Sequence, residues 1–215
     1  MIKLIDLLEN KILVPRRSPE ERSKNYLIAM QKKVQQYIKD GSKGDLDLSN
    51  TPITSLPQDL TVGGFLYLRN TLITSLPQGL KVKGALYLSY TPITALPKDL
   101  TVGGSLDLEN TPITSLPQDL KVGGYIDLSN TPITSLPRGL TVGGNLDLTN
   151  TPITTLPQNL KVGRNLNLDD TSITSLPQDL TVGGWLDLRH TPISKKYNEE
   201  QIRQMVPGVK GKIYI

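Results

Sequence analysis

The 215-residue sequence contains no cysteine, one histidine, one tryptophan and one phenylalanine, and aromatic side chains make up 5% of it. Without cysteine there are no disulfides, no thiolate metal ligands and no cysteine nucleophile. A single imidazole, His190, leaves the common zinc ligand sets and the histidine-dependent nucleophilic dyads short of material. Glycine-rich phosphate loops of the Walker or dinucleotide type are absent. No run of eighteen or more apolar residues occurs, and the N-terminus lacks the basic, apolar and small-residue succession of a signal peptide. The sequence therefore reads as a cytoplasmic protein, with secretion without a cleaved signal as the alternative, and with no membrane partner, no cofactor, no metal and no catalytic residue. Carboxylate pairs such as Asp127 and Asp147 have the chemistry for acid/base work, but nothing in the pattern encloses them in a pocket.

Proline and glycine are plentiful, with sixteen and eighteen residues. Thirteen of the prolines fall at two fixed positions of a repeat, as in Pro112 and Pro117, so they act as punctuation rather than as a mark of disorder. The frame LxLxxTxI begins at Leu46, Leu66, Leu86, Leu106, Ile126, Leu146, Leu166 and Leu186, a constant period of twenty with no insertion. Six apolar columns scarcely vary; in the second unit they are Leu66, Leu68, Ile73, Leu76, Leu80 and Val82. Such a period marks a solenoid, in which one unit cannot bury its own apolar face and stability comes from neighbouring units.

Within a unit, Leu60, Val62, Gly64, Leu66 and Leu68 alternate with Thr61, Gly63, Phe65 and Tyr67, which predicts an extended strand with one face inward. Threonine before proline, as in Thr111-Pro112, favours extended backbone entering a bend. The threonine hydroxyl is expected to satisfy backbone groups there, with each unit's bonds standing on those of the unit below. Leu116-Pro117 opens a return path on which proline discourages a second regular strand.

LxLxxTxI followed by TSLP resembles the bacterial leucine-rich repeat of type III secreted effectors, whose unit carries an LxVxxNxL core and an LTxLP segment. Thr111 stands where that family has asparagine, and Ile113, Leu116 and Pro117 match in spacing. The likeness covers residues 44–193. It implies a leucine-rich-repeat stack of short parallel strands, an α+β repeat solenoid with capped ends; a straighter β-solenoid is the alternative architecture. Some effectors of this type are scaffold throughout, and others carry a cysteine ubiquitin ligase for which this sequence has no nucleophile.

Three segments follow. Residues 1–43 form a helical N-terminal cap: a short helix around Ile2 to Glu9, then a longer one announced by Ser18-Pro19-Glu20-Glu21 and carrying Tyr26, Leu27, Met30, Val34, Tyr37 and Ile38 at helical spacing until Asp40-Gly41. Residues 44–193 hold eight units. Residues 194–215 form a C-terminal cap, with a short helix opened by Asn198 and ending near Met205. A final strand, Val209 to Ile215, restates the repeat.

The net charge of +4 is unevenly shared: residues 1–43 carry +5, residues 194–215 carry +3, and the eight units carry −4. The acidic array argues against nucleic acid on the strand face. Arg16, Arg17, Lys32 and Lys33 could make a basic spot on the cap. On the column after each LPxxL segment, Thr61, Lys81, Thr101, Lys121, Thr141, Lys161 and Thr181 alternate, which keeps lysines two rungs apart.

Against that habit, Asp107, Asp127 and Asp147 fall on successive rungs of the strand face, where like charges repel. They point to a partner with a basic surface, or to carboxylates that bond nearby backbone. Phe65, Tyr67, Tyr87 and Tyr90 come from adjacent units of the same face and predict one aromatic patch, the usual anchor chemistry of a binding surface. At the far end Trp185, Asp187, Arg189 and His190 make a second candidate cluster, with His190 expected to pair with Asp170. The VGGxLD segments match calcium-binding nonapeptides only superficially. These features predict a non-catalytic scaffold that binds a protein partner through the strand face. A small anionic or nucleotide ligand on the basic caps, and a structural or virion assembly role, are the alternatives; the repeat type suggests a bacterial or phage source, and oligomeric state is left open.

Overall fold

The computed structural model describes residues 18–118 and 120–215. The short helix expected around Ile2 to Glu9, and Arg16 and Arg17, lie outside the described residues.

Each unit makes one turn of a parallel solenoid; the first seven contribute two short strands and the eighth one. Strands such as Thr61–Val62 and Lys81–Val82 stack into a seven-stranded parallel sheet; those such as Leu66–Tyr67 and Leu86–Tyr87 stack into a nine-stranded one. Pairing in the larger sheet follows the repeat, with Leu66 opposite Leu86 and Tyr67 opposite Tyr87. The single strand expected across Leu60 to Leu68 is therefore broken in two. Close backbone packing marks the break, and it persists where the glycine pair reads Lys83-Gly84 or Gly163-Arg164. A Cβ on Gly104 would lie 2.8 Å from the carbonyl carbon of Gly84, and one on Gly103 would lie 2.3 Å from the oxygen of Lys83. Backbone packs on backbone at this corner, and the chain turns there from one sheet into the other.

The inward alternation survives the break. Leu60, Val62, Leu66, Leu68, Ile73 and their equivalents are buried in one continuous core that runs the length of the stack. The return path through Leu76 and Pro77 has no regular strand, as its prolines require.

Two columns build the bend that follows the larger sheet. Each threonine of the invariant column is buried and donates its hydroxyl to the carbonyl three residues earlier, as Thr111 does to Leu108 at 2.7 Å. These bonds satisfy backbone inside the bend of their own turn, as the sequence suggested, and the same bond recurs in all eight turns. Backbone ladders join the turns, for example Leu66 N–H to Ala85 O at 2.9 Å and Leu68 N–H to Tyr87 O at 2.8 Å, and side chains add to them, as where the Asn70 amide donates to Asn50 Oδ1 at 3.1 Å. The residue before each threonine has a left-handed conformation, with φ between 53° and 59° at Asn50, Asn70, Tyr90, Asn110, Asn130, Asn150, Asp170 and His190. Asparagine and aspartate tolerate that region, whereas a large side chain there is strained.

Helix α1 (Pro19–Lys39) begins with a capping box in which Ser18 and Glu21 satisfy each other's backbone N–H groups. It closes the first turn through Val34, Met30 and Tyr37. The Tyr37 hydroxyl donates to Gly44 O at 2.8 Å and accepts from Gly63 N–H at 3.1 Å, joining helix to stack. Tyr26, Ile28 and Ile38 remain exposed, so the apolar stripe read from the sequence is only partly used. At the other end, helix α2 (Glu199–Met205) buries Ile202, and the strand Ile213–Tyr214 pairs with Leu186–Asp187 as a ninth rung.

Candidate recognition face

Side chains that flank the inward leucines of the larger sheet form four outward columns, and their geometry follows from the turn. In the column of Asp47, Asp107, Asp127, Asp147 and Asp187, one carboxylate oxygen accepts the N–H of the residue two further on, as Asp127 does from Ser129 at 3.0 Å. Asn167 makes the same contact with Asp169 at 3.2 Å. The bond lies where the strand gives way to the bend; its neutral version in the seventh turn is longer, and the second and third turns, with Tyr67 and Tyr87 at this position, bend without it.

Phe65, Tyr67 and Tyr87 form one cluster. The tyrosine rings are stacked, with centroids 4.9 Å apart and planes 4° apart, and the Phe65 ring stands edge-on to both at 6.1 and 6.5 Å. The guanidinium of Arg69 lies 4.7 Å above the Tyr87 ring and pairs with Asp107, which is 3% exposed. Tyr125 joins this group: burial pushes its hydroxyl well above the ordinary range, and the neighbouring Tyr87 and Asp107 add to the effect.

Tyr90 stands apart from the three rings. Its hydroxyl is 3.4 Å from Glu109, it is 55% exposed, and it occupies the left-handed position that asparagine holds in most turns. Leu72, also 55% exposed, takes the place of the proline found in six of the eight TxI segments. The sequence carries a signal for both, because each breaks an otherwise regular column. Leu72, Arg69 and Tyr125 are not among the site residues expected from sequence.

The acidic column is half-buried in its middle. Burial holds the Asp127 carboxyl above the usual carboxylate range, its two bonds from Ser129 work against that shift, and the charges of Asp147 and Asp107 add to it. Asp107 is engaged by Arg69, and Asp147 accepts a 3.3 Å bond from Asn167.

In the last turns, Asp187 is 3% exposed and held by Arg189, while Trp185 packs edge-on against Tyr214 with centroids 6.1 Å apart. His190 pairs with Asp169, its Nδ1 2.7 Å from Oδ1, rather than with Asp170 as the sequence suggested. Asp169 lies on the outward column two residues before Thr171, so its carboxylate reaches across to the next bend. Donor atoms of Asp169, Asp170 and His190 lie within 4.8 Å of one another, the one such trio among the described residues. Asp170 and His190 are exposed, Asp169 is half-buried and the imidazole is already hydrogen-bonded to it, so the trio carries no metal assignment.

Shallow clefts lie elsewhere on the described surface, such as the one between return paths lined by Leu96, Lys98, Leu116 and Gln118. Among the described residues no helix is long and apolar enough to cross a membrane. The aromatic cluster sits on an open sheet face, a shape suited to covering by another macromolecule rather than to enclosing a small substrate.

No protein-family model and no curated protein matches the chain. Among solved structures it is similar to one described as the structure of a Shigella effector LRR domain, with a TM-score of 0.60 and 20% identity over 86% of this chain and 87% of that one. At that identity the likeness is one of fold, and the fold is that of a bacterial leucine-rich-repeat solenoid with a helix at each end of the stack.

Proposed function

We propose that the chain is a non-catalytic recognition scaffold that binds a protein partner through the outward columns of its larger sheet. One observation carries this reading. Within residues 44–193, the large apolar side chains exposed among the described residues are Phe65, Leu72 and Tyr90, all from the second and third turns, beside the stacked Tyr67 and Tyr87. Tyr125 and Trp185 share the column of Phe65 but are half-buried, so among the described residues the second and third turns are the one stretch of the array that exposes large apolar side chains. Exposed rigid rings gathered in a patch are the usual anchors of protein interfaces. The likeness in fold to an effector repeat domain is in keeping with a scaffold role.

The other units supply conservative replacements for the test. Phe65→Ser, Leu72→Ser and Tyr90→Asn each install the residue that a sister turn already carries at that position, in Ser105, Ser172 and Asn110. Affinity capture from the source cell with the native chain should retain a partner that this triple variant loses. A partner retained equally by both would place the site off this face.

A further inference from the structure

The face beyond the aromatic cluster is more acidic than its fold requires. Across the outward columns of all eight turns stand nine carboxylates, from Asp45 to Asp187, against two guanidiniums, in a chain whose net charge is +4. Both guanidiniums are already committed, Arg69 to Asp107 and Arg189 to Asp187. Among the described residues, Glu109, Asp127, Asp147, Asp169 and Asp170 make no ion pair with a lysine or arginine. Asn167 shows that the bend needs no charge at this position. Asn110, Asn130 and Asn150 likewise show that the left-handed position of Asp170 needs no charge. The carboxylates of Glu109, Asp127, Asp147 and Asp169 accept local hydrogen bonds, but the bend itself does not require their negative charge. Asp127 and Asp147 face each other in register on adjacent rungs, where like charges repel, a cost that a cationic partner would offset.

We infer that the partner presents an extended segment with one large apolar side chain at one end and lysines or arginines along the rest, the apolar group seated on turns two and three and the cations over turns four to seven. This rests on the scaffold reading above and names the chemistry of the partner. From the rung of Asp107 to that of Asn167 is three steps, about 14 Å, which four or five extended residues span at roughly 3.3 Å each. Apolar contact fixes the end of such a segment, and the acidic track fixes its direction and speeds its arrival.

The test uses a short synthetic peptide with phenylalanine at one end and lysine at every second position, prepared in both orientations, and measures its affinity for the full chain at low and high salt. Asp127→Asn, Asp147→Asn and Asp170→Asn together install residues that sister turns already carry, and should weaken binding about tenfold and flatten its salt dependence. A charge-matched control, Asp59→Asn, Asp99→Asn and Asp179→Asn, changes exposed aspartates of the return path and should leave affinity within about twofold. Equal losses in the two variants, no binding by the native chain, or displacement of the peptide by calcium alone would overturn the inference. If Phe65→Ser with Tyr90→Asn weakens the peptide while the acidic variant does not, the charge inference fails and the scaffold reading stands. If neither set changes binding, both fail.

Discussion

Tyr67 and Tyr87 lie one rung apart with their rings parallel, 4.9 Å between centroids, so the stacking distance is that of the sheet itself. Side chains in such register are held by the backbone ladder and lose little freedom when a partner covers them. Truncating either to alanine should lower partner affinity by about 1–3 kcal/mol with little change in salt dependence. A loss that grows steeply as salt falls would mean that charge, not the stacked rings, supplies the anchor.

Tyr90 keeps a bulky ring at φ 59°, where most turns place asparagine. Tyr90→Asn should raise stability by roughly 1 kcal/mol while weakening partner binding, because the left-handed backbone then carries a residue suited to it. Chemical denaturation and a binding titration on the same variant check both halves. A variant that is less stable than the native chain would show that the ring supports the fold instead.

Leu128 is fully buried between turns, whereas Thr134 on the return path is exposed. Leu128→Ala should cost about 2–5 kcal/mol, and Thr134→Ala should stay within about 0.5 kcal/mol. Ser129, though on the outward face, is not a neutral site: its hydroxyl donates to Asp127 at 2.6 Å. Similar denaturation midpoints for the Leu128 and Thr134 variants would contradict the assignment of the core.

Asp127 has a folded pKa above its unfolded value, mainly through burial, so the folded state holds this proton more tightly than the unfolded chain does. Its favourable contribution is complete below the unfolded pKa, near 3.8, and is lost as pH rises through the folded pKa. The stability of Asp127→Asn relative to the native chain should therefore increase from about pH 4 upward and then level off. Denaturation midpoints measured across that range test the sign; a difference that shrinks as pH rises would reverse it.

Much of this arrangement is written in the period. The inward columns, the terminal helices with their Ser18 and Asn198 caps, and the ninth strand at Ile213–Tyr214 all follow from local patterns that repeat or end. The break between the two strands of each turn does not, because alternation alone cannot show that a Cβ on Gly104 would meet the backbone of Gly84 in the adjacent turn. The face divides in the same way. That Phe65, Tyr67 and Tyr87 meet follows from register, but the pairing of His190 with Asp169 depends on how a left-handed residue aims its side chain, which spacing does not encode. Leu72 is legible as a broken column, yet its exposure is not, since an isolated leucine among leucine-rich units gives no sign of which way it faces.

The alternation of Lys81, Lys121 and Lys161 with Thr61, Thr101, Thr141 and Thr181 along the smaller sheet gives the stack a parity. Excising one twenty-residue unit, for instance the one containing Thr101, would set Lys81 and Lys121 on neighbouring rungs. Excising two would leave every lysine between threonines. Excising the unit that carries Lys121 would set Thr101 beside Thr141 and create no like-charged neighbours, so single-unit length variants that arise by unequal recombination should be those that lose a lysine unit or duplicate a threonine one.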